Sequence, residues 1–415
     1  MNRLTSENPV KGDRMTRLLP AALLLGGFCF SAAGKDFYVG VDPEVPTIAH
    51  AIKQAGPGDT IHLEAGKIYR DYAGFYGKKG EKDRPIVFDG HGATLEGSDP
   101  LDPAQWREVS PGLFAADELL PNLSDAVVGR WFFLFDGRME RMGRTSKGRS
   151  APWKDPEKLR PGEWTFVKDS LRDNSESKQI HGTFFLKLAP GAALEDAKIA
   201  VPVRSAGVQF SGDNAHLVIR NLTATHPYND GFNIHGDCRD VLFKNIRAIE
   251  CGDDGISAHE SAQYHVEGLV SIGNSTGICD TGTARTSYRK VFIADCVGFD
   301  LYFLDEGRYA VTDALVLSSA QNPFSVSGRA GGDCRLMLGN VHLKRLVEPC
   351  LGTIAEHAMV TGKSCTFEGL DLKIGGTAAW VDSILNGQPS ETGATGAAVD
   401  ELLKLAPKFP STSHP

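Results

Sequence analysis

Aspartate and histidine residues recur in register between positions 228 and 260. Residues 230–235 read DGFNIH and residues 254–259 read DGISAH, an offset of 24 residues. The two segments share Asp, Gly, an apolar residue and His at matching positions. A repeat of this length with polar residues in register predicts stacked structural units that present a common chemical face.

Stacking would bring these side chains close enough to act together. Matched positions on adjacent strands lie about 4.8 Å apart, which would place Asp230 beside Asp254 and His235 beside His259. Asp253 would lie diagonally across from Asp230. Like charges this close raise the pKa of at least one carboxyl group, which provides a general acid near neutral pH. We therefore predict that these five residues are catalytic.

The segments around this repeat have the pattern of a parallel coil. Residues 217–222 and 241–246 are similar hydrophobic segments one period apart. Apolar and polar residues alternate in the strands that carry the repeat, which predicts one buried and one exposed face. The predicted inward-facing residues are Phe232, Ile234, Ile256, Ala258, Phe299 and Leu301, and the predicted outward-facing residues are Asn233, His235, Ser257, His259, Asp300 and Tyr302. The fold class predicted from this pattern is all-β, a parallel solenoid.

The remainder of the chain divides around this coil. Residues 34–99 contain short strand patterns and one helical pattern over 45–55, and we expect an N-terminal capping helix and the first turns of the coil. The order of this helix, PGDTI and PIVFDG is similar to the opening of secreted right-handed parallel β-helix proteins. Residues 100–205 carry four tryptophans and predict a β-rich insertion. Residues 206–386 resume the coil, and residues 387–415 are expected to form a C-terminal tail.

The first 33 residues have the pattern of an export signal. Basic residues precede an apolar run that ends in small residues, and the run is too short to span a bilayer. Removal of its four basic and two acidic residues would leave 40 Lys and Arg against 50 Asp and Glu, a net charge of −10. That acidity disfavours nucleic acid as a partner. We expect a secreted or periplasmic monomer without a membrane anchor.

The cysteines and one basic segment leave alternatives open. Seven cysteines follow the signal, and an odd number cannot be fully paired, although a bridge among Cys334, Cys350 and Cys365 is one alternative. Residues 138–160 contain eight Lys and Arg against three acids. Such a run is commonly a solvated surface loop. The alternative is a local anchor for an anionic polymer, with Arg144 among its substrate-binding residues.

The repeat resembles the motifs of polygalacturonase-type glycoside hydrolases, which are right-handed parallel β-helices. Asn229-Asp230-Gly231 is similar to their Asn-Thr-Asp-Gly phrase, and Asp253-Asp254 is similar to their Asp-Asp pair one turn later. The resemblance implies hydrolysis with inversion. One aspartate of the pair would protonate the leaving oxygen, and Asp230 with the other would activate water.

Substrate contacts are expected on the same face. The turns after the aspartates lack the family's Gly-His-Gly and Arg-x-Lys phrases, and His259 and Arg308 are candidate replacements. The predicted substrate is an acidic or sulfated polysaccharide, and no cofactor is required. The predicted substrate-binding residues are Asn233, Glu260, Asp300, Tyr302, Arg308 and Arg144.

Other interpretations of the same residues stay open. Asp-Gly phrases are common in turns, so the aspartates could serve turns alone. Asp230, Asp254 and His259 could instead hold calcium or another cation. Residues 231–237 are similar to the Gly-Phe-Asp-Pro-His-Asp phrase of β-helical mannuronan epimerases, with His235 at the place of the catalytic histidine. A polysaccharide lyase and a non-catalytic carbohydrate-binding surface protein are the further alternatives.

Overall fold

The computed structural model describes residues 34–120, 123–172 and 178–390. The predicted signal at residues 1–33, and the predicted tail beyond residue 390, lie outside the described residues. Within the described ranges, no helix is long and apolar enough to cross a membrane.

The chain coils so that each turn contributes strands to two parallel sheets. Residues 232–234 lie in one sheet, residues 239–249 in the other, and residues 254–258 return to the first. Every strand pair in the two sheets is parallel except the one formed by the last two described strands. The predicted all-β, right-handed parallel β-helix is confirmed.

The larger of the two parallel sheets is called sheet 1 and the smaller is called sheet 2. Sheet 1 has 15 described strands: Asp36–Tyr38, Thr60–His62, Ile68–Tyr69, Ile86–Glu96, Ala215–Thr225, Arg239–Ile249, Gln263–Ile272, Arg285–Ala294, Arg308–Ser318, Cys334–Arg345, Ala358–Lys363, Thr366–Glu368, Thr377–Val381, Ser383–Leu385 and Gln388–Ser390. Sheet 2 has nine described strands: Ala73–Tyr76, Val208–Ser211, Phe232–Ile234, Asp254–Ala258, Thr276–Asp280, Phe299–Asp305, Asn322–Gly328, Cys350–Ile354 and Leu370–Ile374.

The long strands of sheet 1 bend at one residue in the left-handed conformation. Asn221, Asn245 and Asp313 have φ values of 54°, 52° and 53° at this bend. Asn and Asp tolerate this region better than most residues because their short side chains form local hydrogen bonds. The Asn245 amide donates to the Asn221 side-chain oxygen at 3.2 Å, so the bend is also linked from turn to turn.

The interior of the coil is a continuous stack of apolar side chains. Phe75 stacks on Phe210 with ring centroids 4.9 Å apart, and Phe210 contacts Phe243 edge to face. These residues belong to one buried cluster that runs from Phe37 to Trp380. Cysteines contribute to it as small buried side chains, and all seven cysteines of the described residues are free. A bridge among Cys334, Cys350 and Cys365 is therefore not formed.

The helix predicted near the N-terminus is present at Ile48–Gln54. The Thr47 side chain caps it by accepting from the His50 amide, and Ile48, Ala51 and Ile52 are buried in the main core. That this helix closes the end of the coil stays a prediction. At the other end, Gln388–Ser390 pairs antiparallel with Ser383–Leu385, so the first residues of the predicted tail extend sheet 1.

The β-rich insertion consists of two small antiparallel sheets around an aromatic cluster. Trp131, Phe133, Trp164 and Phe184 are fully buried in that cluster.

The two α-helices of the described chain are Ile48–Gln54 and Asp125–Gly129, and Pro103–Gln105 and Pro156–Lys158 are 3₁₀ turns. The eight antiparallel strands are Ser98–Pro100, Phe133–Phe135, Arg138–Glu140 and Ile199–Pro202 in one sheet, and Arg107–Ser110, Leu113–Asp117, Trp164–Lys168 and Gly182–Lys187 in the other.

Candidate functional site

Three aspartates meet at the N-terminal ends of neighbouring sheet 2 strands. Asp230, Asp253 and Asp254 each place one carboxylate oxygen within 4.8 Å of the others. The Asp254 amide donates to the Asp230 carboxylate at 3.1 Å, which links the two turns directly. The predicted proximity is therefore present. All three side chains are buried, however, with at most 6% of any residue exposed.

Two cations from the insertion cover this cluster. The Lys147 ammonium lies 2.6 Å from Asp253 and 2.7 Å from Asp254, and the Arg130 guanidinium lies 2.7 Å from the other oxygen of Asp253. The Ser146 hydroxyl also donates to Asp253. Because these residues come from the segment before the coil resumes, the insertion completes the site. Lys147 keeps 22% of its side chain exposed.

The aspartates have opposite protonation tendencies. Burial raises the pKa of Asp253, but Lys147 and Arg130 outweigh it and hold that pKa well below its ordinary value. Burial and the charge of Asp253 raise the pKa of Asp254 well above its ordinary range. The same two causes raise the pKa of Asp230 to about 6. Asp253 is therefore the carboxyl group of this cluster that most readily carries a negative charge beside Lys147 and Arg130.

The predicted histidine pair lies at the opposite end of the same strands. His235 and His259 stack with ring centroids 4.0 Å apart and planes inclined by 2°. His235 Nδ1 contacts the Glu260 carboxylate at 3.1 Å. Burial and the neighbouring His235 lower the pKa of His259 to about 4, so His259 is neutral near pH 7.

A serine connects the aspartates to the histidines. The Ser257 hydroxyl donates to Asp230 at 2.6 Å. His259 Nε2 lies 3.2 Å from the Ser257 hydroxyl oxygen. A hydroxyl has one hydrogen, so a Ser257 that donates to Asp230 accepts from His259 Nε2–H. This tautomer leaves the lone pair of His259 on Nδ1. Asn233 completes the row as a buried neighbour of Ser257, with its amide donating to Gln209.

Tyr302 extends this row along the coil. Ser257, Cys279 and Tyr302 occupy one register position on three successive strands. The Tyr302 ring stacks on Phe299 with centroids 4.2 Å apart. Burial raises the pKa of the Tyr302 phenol, so it stays protonated at neutral pH. Tyr302 was predicted to face outward, and its side chain is partly exposed.

The predicted outward orientation of Asp300 is wrong. Leu301 pairs with Ile278, so Asp300 occupies the inward corner position that Gly255 and Gly277 hold in earlier turns. The Asp300 side chain is fully buried, and neither carboxylate oxygen has a hydrogen bond of normal geometry, although Ser318 and Cys296 lie nearby. Burial accordingly raises its pKa to about 7. Asp300 therefore has no access to a substrate.

Phe299 is also oriented differently from the prediction. It was expected inside the coil, but it pairs with Thr276 at the strand start and is partly exposed.

Neither of the two predicted substrate-binding arginines belongs to a strand of sheet 2. Arg308 begins a strand of sheet 1 and pairs in register with Arg285 and Arg335 rather than with any sheet 2 residue. Arg144 lies over the Trp153 ring at 4.1 Å and is 5% exposed, so packing against the insertion accounts for its position. The interpretation of the whole basic segment as solvated surface is also wrong, because Arg141 is buried and donates to backbone carbonyls of Gly252 and Gly273.

The aspartate cluster fits calcium poorly. Calcium takes six to eight oxygen ligands, whereas both oxygens of Asp253 and one of Asp254 already face side-chain cations. A metal ion at this place would have to displace Lys147.

Sequence reasoning missed Arg130 and Ser146 and treated Lys147 only as part of a charge run. The available signal was that basic segment on an acidic chain, but its target lies more than a hundred positions later.

A cavity of about 530 Å³ lined by residues that include His91, Asn221 and Arg247 lies on sheet 1 and does not contact the aspartates.

Comparisons with known proteins show distant structural likeness. No protein-family model and no curated protein sequence matches the chain. A solved XylC complex with xylose is 12% identical, with 81% of this chain and 70% of that chain covered and a TM-score of 0.46. An alginate lyase from Paenibacillus sp. str. FPU-7 is 11% identical over 83% and 97%, with a TM-score of 0.43. Pectate lyase Pel9A is 11% identical over 87% and 82%, also with a TM-score of 0.43. At such low similarity, an activity has to be inferred from the site itself.

Proposed function

We propose that this chain is an enzyme that cleaves an anionic polysaccharide at the outward face of sheet 2. The observation that carries the proposal is the Lys147 ammonium, which is fixed by Asp253 and Asp254 while part of its side chain stays exposed. A positive charge held at a strand face that also presents His259 and Tyr302 provides one group for substrate binding and two for proton transfer.

The arrangement suits β-elimination at a uronate residue. The Lys147 charge would stabilise the carboxylate of the sugar as the neighbouring C5 proton leaves. His259 Nδ1 would accept that proton, since the ring is neutral and its lone pair lies on Nδ1. The C4–O bond would then break as the C4–C5 double bond forms, and Tyr302 would donate a proton to the departing oxygen. The products are a new chain end and an unsaturated sugar.

Hydrolysis by the aspartates is the second candidate, favoured by their opposite pKa shifts. The pKa of Asp254 is raised while that of Asp253 is lowered, and such a pair can supply a general acid and a base. This mechanism requires Lys147 and Ser146 to move, because the carboxylates are buried beneath them. The elimination mechanism uses groups that are already partly exposed.

Incubation with polygalacturonate, alginate and a sulfated galactan separates these candidates. Elimination produces ultraviolet-absorbing unsaturated ends, whereas hydrolysis produces reducing ends without them. We expect unsaturated products, and we expect H259Q and Y302F each to lower kcat at least about 100-fold, as for loss of a general base or acid.

H342Q is the matched control, because His342 is an outward histidine of sheet 1 paired with Glu368. It should retain wild-type activity. Reducing ends without unsaturation, together with full activity of H259Q and loss of activity in D254N, would favour hydrolysis instead. Binding of a polymer without cleavage would favour the non-catalytic alternative.

A further inference from the structure

Three arginines form a ladder on the outer surface of sheet 1. Arg285, Arg308 and Arg335 are paired in register on three successive strands. The residues after them in each strand point inward, and among these Thr286 and Tyr309 are buried. Because adjacent parallel strands lie about 4.8 Å apart, the ladder adds one guanidinium at each turn along the coil axis.

The charge of this ladder is only partly compensated. Arg335 pairs with Asp333 at 3.2 Å, whereas no ion pair with Arg285 or Arg308 occurs among the described residues. Like charges directly opposed on neighbouring strands are destabilising. Elsewhere on the same sheet, Arg289 and Lys290 both pair with Glu267, at 3.2 and 2.8 Å. The ladder is therefore a local positive surface on an acidic protein.

We infer that this arginine ladder is a second binding surface for the anionic polysaccharide, separate from the face of sheet 2. Guanidinium groups bind carboxylate and sulfate oxygens through paired hydrogen bonds. A polymer aligned with the coil would meet a new guanidinium at each turn, so its repeating charges match a repeating surface. The inference rests on the proposed function for the charge of the polymer. The net charge of −8 opposes a nucleic acid at the same surface.

The test compares two charge-matched double variants of the full chain. R285Q/R308Q removes two charges of the ladder, and R289Q/K290Q removes two charges of the same sheet that are already paired. Binding to immobilised polygalacturonate and to an immobilised sulfated galactan is measured at low and high salt. We expect R285Q/R308Q to weaken binding roughly 25-fold at low salt, which corresponds to about fivefold per arginine. R289Q/K290Q should change it less than twofold, and high salt should remove the difference.

Cleavage of a short uronate oligosaccharide is measured alongside. R285Q/R308Q should retain wild-type cleavage there, because both arginines belong to strands of sheet 1, whereas Tyr302 lies in a strand of sheet 2 and His259 directly follows one. Equal polymer binding by R285Q/R308Q and wild type, with cleavage intact, would overturn the inference that the ladder binds the polymer and would leave the proposed function in place. Ladder-dependent binding without cleavage by the wild type would support the ladder and overturn the proposed function. Equal losses in both double variants would also overturn the ladder.

Discussion

Replacement of Lys147 by methionine tests the centre of the site most directly. The ammonium contacts Asp253 and Asp254 at 2.6 and 2.7 Å, and removing one partner of a buried ion pair typically costs about 3–5 kcal/mol. Arg130 still contacts Asp253, and Asp254 already tends to be protonated. We therefore expect K147M to lose about 3 kcal/mol of unfolding free energy at pH 7, at the lower end of that range.

The pH dependence of this loss follows from Asp253. Its pKa is depressed in the folded protein, so its ion pairs stabilise the fold above the ordinary carboxyl pKa and lose that effect as pH falls through the folded value. The difference between K147M and wild type should be largest near neutral pH and should shrink in acid.

Urea unfolding at several pH values measures both effects. The matched control is K154M, because Lys154 contacts a single carboxylate, Glu163, at 2.6 Å and is 38% exposed. It should lose about 1 kcal/mol or less. Equal unfolding free energies for K147M and wild type at pH 7 would refute the view that this ammonium holds the cluster together.

Three further predictions concern buried charges. Against the effect of burial, Glu250 and Glu96 raise the pKa of His226 to about 9, so protonated His226 stabilises the fold fully below pH 6.5 and loses that effect as pH rises through 9. The melting temperature of H226Q should therefore approach that of wild type between pH 6.5 and 9. Melting temperatures that stay a constant interval apart over this range would contradict the prediction. Burial raises the pKa of Asp280 to about 7 despite hydrogen bonds that favour its charged form. In urea unfolding, wild type should therefore lose stability relative to D280N as pH rises from about 4 to 7. A constant difference in unfolding free energy between the two proteins would rule out this titration. Because Lys147 already occupies the aspartate cluster, EDTA should change neither the activity nor the melting temperature of the wild type. Calcium should stabilise K147M. Destabilisation of the wild type by EDTA would show that a metal is needed.

The offset of 24 residues was sufficient to place His235 on His259 and Asp230 next to Asp254, because a coil with constant turn length keeps such positions aligned. The same reasoning failed at Asp300. The alternating pattern predicts that Phe299 faces inward and Asp300 outward, but the observed pairing aligns Asp300 with Gly277. A change in turn length moves a residue from the outer face to the inner corner, and composition does not reveal it.

The sequence by itself determined the coil, its repeat and the neighbourhood of the aspartates and histidines. These depend on local periodicity and on stacking between consecutive turns, which a repeat displays in the chain order. Only the tertiary structure decided that Lys147 and Arg130 cover the aspartates and that Arg308 belongs to another surface. The physical reason is that the insertion packs across turns more than a hundred residues away in sequence, and burial with ion pairing then sets which carboxyl groups carry charge.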